Sequence, residues 1–130
     1  MTWVYMIACE NGSYYTGSAM NIVKRYWQHI NGYAKAKYTT AFKPSALACC
    51  WQVMGTKGDS LRLESYIKKR GRLFKEQIVA SPELLKPIAK ELYGINIEPF
   101  SAASVEEYVS LYTKSNSAQN FDPIEIALHF

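Results

Sequence analysis

Cysteine and histidine are scarce in this chain, with three cysteines and two histidines among 130 residues. An odd number of cysteines, two of them adjacent, does not make a disulfide framework, and no Cys/His spacing suits a zinc site. Cys9, Cys49 and Cys50 are therefore expected to be small buried apolar side chains in a reducing compartment. Also missing is any uninterrupted apolar run approaching the roughly 18 to 20 residues that cross a bilayer, so no membrane role is expected. The opening MTWVYMIACE lacks the basic leader and long apolar core of an export signal. The expected location is intracellular, cytoplasmic in a prokaryote and nuclear in a eukaryotic or viral setting. There is no internal repeat, low-complexity tract or linker. What is present is 48% apolar and 20% charged residues, the composition of a globular chain of about one domain.

The charge is unevenly distributed. Residues 1–79 carry 12 Lys or Arg against 4 Asp or Glu, a local charge of +8, whereas residues 80–130 carry 3 against 7, or −4. A local positive field concentrates polyanions, so the first part is where nucleic acid or another acidic partner is expected to dock; ordinary solubilising charge is the plain alternative. The change of sign near residue 80 divides a core, 1–79, from a helical C-terminal extension, 80–130, expected to pack on it and offering a surface for a protein partner.

TWVYMIAC, residues 2–9, reads as a largely buried strand. Asn11-Gly12 supplies a type I′ turn candidate, which makes YYTG the returning strand of an antiparallel hairpin and brings Tyr5 beside it. Asn21 predicts an N-cap for a helix over 22–31 stopped by Gly32, with Ile22, Val23, Tyr26, Trp27 and Ile30 on its apolar face. Arg25 and His29, four apart, share one side of that helix. YAKAKYTTAFKPSA interleaves Lys35, Lys37 and Lys43 with Tyr33, Tyr38 and Phe42 in a basic aromatic loop, suited to stacking on bases and equally to anchoring the loop. LACCWQVM, 47–54, predicts a third strand. Asp59 or Ser60 predicts the cap of a second helix ending at Gly71. A short helix or turn precedes Pro82, a further helix bent at Pro87 follows, and Ser104 with Glu107 has capping-box spacing for a last one. FDPIEIALHF is expected as a short strand or an apolar tail. The fold class is thus α/β, a small three-stranded antiparallel sheet flanked by helices.

The order of Val4-Tyr5-Met6, a hairpin turn, Tyr15-Thr16-Gly17, a helix bearing Arg25 and a later helix bearing Glu64 resembles the GIY-YIG nuclease superfamily, nearest to its small stand-alone YhbQ-like and Slx1-like group. The resemblance covers about residues 2–79. It matches Tyr5 and Tyr15 to the two signature tyrosines, Arg25 to the helix arginine, His29 to the aromatic or histidine position one turn later, Tyr38 to a tyrosine of the following basic loop, and Glu64 to the metal-binding glutamate. It departs from the family at Val4 and Met6 and carries Ser18 where some members have lysine. What it implies is a metal-dependent endonuclease that hydrolyses DNA phosphodiesters, with a structure-specific role of the kind used in DNA repair, and with one tyrosine as general base or water-aligning group.

The chemistry fits those residue types. A single carboxylate at Glu64 suits a hard divalent cation, Mg2+ or Mn2+, whose shell waters and phosphate oxygens would complete. Arg25 presents a planar, permanently charged donor set for phosphate oxygens, with a surface salt bridge as its plain alternative. His29 suits a tyrosine-hydroxyl partner, a proton shuttle or a phosphate contact, and equally a histidine that caps the core. A phenol with a pKa of about 10 needs help to act as a base. Tyr14 reads as a packing residue and Gly17 as the release of the chain from the strand. Lys35, Lys37, Tyr38, Lys43, Lys68, Lys69 and Arg70 are the candidate nucleic-acid contacts; DNA is the expected partner, and RNA stays open because no group here reads the sugar. The rival readings are a nucleic-acid-binding module without chemistry and a structural or protein-interaction domain.

Overall fold

The computed structural model describes residues 1–32, 39 and 41–115, with side chains through Leu111. Lys35, Lys37, Tyr38 and the terminal FDPIEIALHF therefore lie outside the described residues. The sequence alternates short strands with helices. Strand β1, Thr2–Cys9, is followed by β2, Tyr14–Ala19, helix α1, Ile22–Asn31, and the long strand β3, Pro44–Met54. Helices α2, Lys57–Lys68, and α3, Arg72–Ala80, come next. A 3-10 turn at Pro82–Leu84 leads into α4, Leu85–Tyr93, and the chain continues through β4, Asn96–Phe100, and α5, Ala102–Ser115. The antiparallel sheet has the order β2-β1-β3-β4, so the three expected strands gain a fourth from the C-terminal part of the chain.

Alternation along β1 divides the interior in two. Trp3, Tyr5, Ile7 and Cys9 face Ile22, Val23 and Tyr26 of α1 and Val105 and Val109 of α5. Val4 and Met6 face Leu63 and Ile67 of α2, Ile78 of α3 and Leu85 and Ala89 of α4. Both faces are covered, which is why β1 is buried almost throughout instead of alternating between core and solvent. All three cysteines are free and buried.

Several local signals act differently from the sequence expectation. The β1–β2 reversal is not a two-residue type I′ turn. It is a three-residue loop, 10–12, closed by the Gly12 N–H to the Cys9 carbonyl at 2.9 Å and the Cys9 N–H to the Ser13 carbonyl at 2.9 Å. Gly12 takes the left-handed position (φ 84°) that this longer form requires. Asn21 caps α1 as expected, accepting from the Lys24 N–H at 3.0 Å, and Gly32 ends it in the left-handed region. The cap of α2 is Thr56, one turn before Ser60: its hydroxyl accepts from the Asp59 N–H while Asp59 accepts from the Thr56 N–H, a reciprocal pair that places Asp59 inside the helix. Ser101, not Ser104, caps α5, accepting from the Ser104 N–H at 3.1 Å. Pro87 sits in the first turn of α4, where its missing N–H has no helical partner to lose.

Candidate functional site

The hairpin register sets the centre of the site. Tyr5 lies opposite Gly17 and Ile7 opposite Tyr15, so both tyrosines and Gly17 share the face that α1 covers. A side chain at position 17 has no room: a Cβ there would lie 2.5 Å from the Tyr5 hydroxyl, 2.7 Å from its Cζ and 2.9 Å from the Tyr15 ring. Gly17 is what lets the Tyr5 ring cross β2 and come within 6.2 Å, centroid to centroid, of Tyr15.

From the opposite side, α1 delivers His29. Its buried face is Ile22, Val23, Tyr26 and His29, whereas Ile30, expected on the apolar stripe, is 43% exposed. The exchange is tolerated because both ring nitrogens of His29 find partners. Nε2 lies 2.8 Å from the Tyr5 hydroxyl, and Nδ1 lies 2.6 Å from Oγ1 of the buried Thr39. The His29 ring also packs against Tyr15 at 5.0 Å. Burial first, and then the charge of Arg25, push His29 down to about 4, so the imidazole is neutral at neutral pH. The Tyr5 phenol is pushed above its ordinary value, first by burial and then by Tyr15. Against that, the Arg25 guanidinium opposes the rise by hydrogen bonding and by charge. With the imidazole neutral, the consistent hydrogen-bond order is Tyr5 O–H to Nε2 and Nδ1–H to Thr39.

Arg25 is half-buried one turn before His29, and Gln28 holds it through a 2.9 Å hydrogen bond to Oε1. On the other flank, α2 packs along the edge strand β2 and over β1. Glu64 is near enough to Tyr5 for its charge to raise the phenol further. Its Oε2 lies 2.6 Å from the Lys68 ammonium, which is itself 5.9 Å from the Tyr15 ring centroid. The helix carboxylate is thus on the tyrosine flank. Tyr5, Tyr15 and His29 pack together, with Arg25 and Glu64 each within electrostatic reach of Tyr5, and the five candidate residues are drawn from four separate elements.

Among the candidate nucleic-acid contacts, Lys43, Lys68, Lys69 and Arg70 are exposed. Tyr14 packs at the edge of the opposite core with the Arg72 guanidinium 4.8 Å from its ring centroid. Two members of the arrangement have no counterpart in the sequence reading. Thr39 falls in a stretch whose sequence has no clean period and carries no motif, and Gln28 is marked only by its place one turn after Arg25.

A divalent cation would find one carboxylate here. Among the described residues there is no group of three or more His, Cys, Asp or Glu side chains that could hold a metal ion. Glu64 fits a hard cation that keeps most of its waters and borrows phosphate oxygens, provided Lys68 yields or shares the carboxylate.

Residues 1–77 match the model of the GIY-YIG catalytic domain, and the chain belongs to that family. Its relatives include UPF0213 proteins of several bacteria. The one from Fusobacterium nucleatum is 36% identical over 81 residues, which is 62% of this chain and 79% of that protein. The one from Neisseria meningitidis serogroup B is 40% identical over 75 residues, 58% of this chain and 80% of its own. The Aeromonas hydrophila protein is 35% identical over 83 residues, and the match spans only 58% of its length. No solved structure matches the chain. The family match stops short of α4, β4 and α5. No helix among the described residues is long and apolar enough to cross a membrane.

Proposed function

We propose that this chain is a metal-dependent endonuclease that hydrolyses phosphodiester bonds in intracellular DNA, of the small stand-alone YhbQ-like kind, with branched or flapped duplexes of the sort met in repair as its substrate class. The observation that carries the reading is the Tyr5–His29–Thr39 chain, set beneath Arg25 and flanked by Glu64. A cation held by Glu64 would supply charge on the phosphate and leaving oxygens.

The chain's own residues supply the rest. Arg25 offers donors to the non-bridging oxygens. Burial makes a free tyrosinate at position 5 unfavourable, so a proton taken from water is best passed on in one movement: water to the Tyr5 oxygen, and the Tyr5 hydrogen to Nε2 of His29. The neutral imidazole has that acceptor position open, while Nδ1–H stays on Thr39. When Arg25 engages a phosphate, its charge is partly neutralised, and its depression of His29 basicity is relieved at the moment a proton arrives. Tyr15, half-buried between His29 and Lys68, would hold the water or the phosphate in line.

Labelled branched and linear DNA incubated with Mg2+ or Mn2+ tests this. Parent protein is expected to give metal-dependent products, and Tyr5→Phe, Arg25→Ala and Glu64→Gln to lose at least about 100-fold in rate while remaining folded. Salt-sensitive binding by the parent with no product would replace the enzyme with a binding module, and the absence of both would leave an interaction domain.

A further inference from the structure

From residue 68 to residue 75, KKRGRLFK contains five cations and no acidic residue. At this junction between α2 and α3, the cations at 68, 70 and 72 each lie against a tyrosine ring. Lys68 is 5.9 Å from the centroid of Tyr15, Arg70 is 4.4 Å from that of Tyr66, and Arg72 is 4.8 Å from that of Tyr14. Tyr14 and Tyr15 belong to β2, so Lys68 and Arg72 fasten the junction to the sheet's β2 edge, whereas Tyr66 of α2 packs against Phe74 of α3 and Tyr93 of α4 and holds Arg70 on the α3 side of the junction. Arg72 also donates to the Gly12 carbonyl at the tip of the β1–β2 loop and pairs with Glu76 at 3.4 Å. Arg70 forms no ion pair among the described residues.

We infer that this junction is a second phosphate-gripping platform, engaging the nucleic-acid backbone beside the phosphate proposed to be cut. A guanidinium with one face on an aromatic ring is already oriented and loses less freedom on meeting a phosphate than an unsupported side chain does; Arg70 keeps its in-plane N–H donors outside any ion pair among the described residues, and Arg72 keeps those not given to Gly12 and Glu76. Continuity points to nucleic acid as the occupant. Lys68 belongs both to the platform and to the Glu64–Tyr15 side of the candidate site, so a strand leaving that site along β2 would reach Arg72 at the hairpin tip, with the exposed Arg70 between the two in the same junction. The inference rests on the proposed substrate class but not on cleavage.

The test is binding of labelled branched duplex DNA by the full chain without divalent metal, followed from low to moderate salt. Arg70→Gln/Arg72→Gln is expected to lower affinity about tenfold or more and to reduce the slope of log K against log salt by about 1.8, two released counterion equivalents. Arg70→Gln alone, at an exposed position outside any ion pair, should give about half the slope change even if the double variant is destabilised. Lys86→Gln/Lys90→Gln, on α4 beside the opposite edge strand β4, should change neither. Unaltered affinity and slope in both arginine variants would overturn the inference. So would an equal loss in the α4 variant, or polyglutamate binding matched to DNA in strength and in sensitivity to Arg70, which would assign the platform to an acidic protein. Retained cleavage with an unchanged slope removes the platform alone, and a reduced slope with no cleavage removes the hydrolytic reading alone.

Discussion

Strand β1 sends alternate side chains into two interiors of opposite character. On one face Val4 and Met6 meet Trp51, Leu63, Ile67 and Ile78, and the Trp51 indole N–H buried among them is satisfied by the Pro82 carbonyl at 2.9 Å. On the other, Tyr5 meets His29, which in turn meets Thr39, and Tyr26 of α1 donates to Glu106 of α5 at 3.0 Å. The first face is held by shape and apolar burial. The second is held by hydrogen bonds whose removal leaves buried polar atoms unpaired. One strand therefore joins a face built to be stable to a face built to hold reactive groups at fixed positions.

The sharpest way to break the first face is Trp51→Ala. The side chain is fully buried, and its loss leaves a cavity as well as an unanswered Pro82 carbonyl. Destabilisation of about 3 to 5 kcal/mol is expected in denaturant titration. A loss below about 1 kcal/mol would mean the apolar face is not what holds the sheet.

The second face should betray itself by pH. His29 titrates near 4 in the folded chain and near its ordinary 6.5 when unfolded, so the unfolded chain binds the extra proton in between. Stability present above pH 6.5 should therefore fall as pH drops from 6.5 toward 4, with His29 contributing at most about 1.4 kcal/mol per pH unit. His29→Gln should flatten the profile in that window, measured as the difference in unfolding free energy between parent and variant. Identical slopes would show that the imidazole takes up its proton without leaving the interior.

A third perturbation acts at the crossing between the two tyrosines. Gly17→Ala puts a methyl where the Tyr5 hydroxyl lies, and the ring, already tied to His29, has to shift. The expected cost is about 1 to 3 kcal/mol in stability. Any cleavage activity should fall more steeply than stability does, because the proposed relay loses its geometry first; equal losses would make Gly17 a packing residue alone.

The hairpin, α1 with both its caps and β3 could be read from the sequence, because each has a local signal: a turn pair, an N-cap with a stopping glycine, or an apolar run; Tyr5, Tyr15, Arg25, His29 and Glu64 are singled out together only by the family resemblance. What escaped were features set by tertiary partners. His29 displaces Ile30 from the buried stripe because Tyr5 and Thr39 satisfy it, and periodicity counts only hydropathy. Strand β4 was hidden by its five-residue length and by Pro99, a residue that an edge strand accepts and an interior strand does not. Thr56, Asp59 and Ser60 are equally good capping types for α2, and only the reciprocal bonds decide among them.

The mildest test concerns the part of the chain beyond the family match. Glu106 on α5 accepts from the Tyr26 hydroxyl and, at 3.3 Å, from the Leu47 N–H, so one carboxylate ties α1 to β3. Tyr26 sits on the buried face of the helix that carries Arg25 and His29, which makes α5 a brace for the candidate site as well as a cover for the core. Burial first, and then Glu106, raise the Tyr26 phenol above its ordinary value, so the hydroxyl keeps its proton and remains the donor. Glu106→Gln retains an acceptor oxygen of the same reach and removes only the charge. The expected loss is about 0.5 to 1.5 kcal/mol by thermal or denaturant unfolding, with Glu106→Ala losing more because both donors are then left unpaired. If the alanine variant unfolds no more readily than the glutamine one, the tie between α5 and α1 is apolar, carried by Val105 and Val109, and the two faces of the sheet are more alike than their hydrogen bonds suggest.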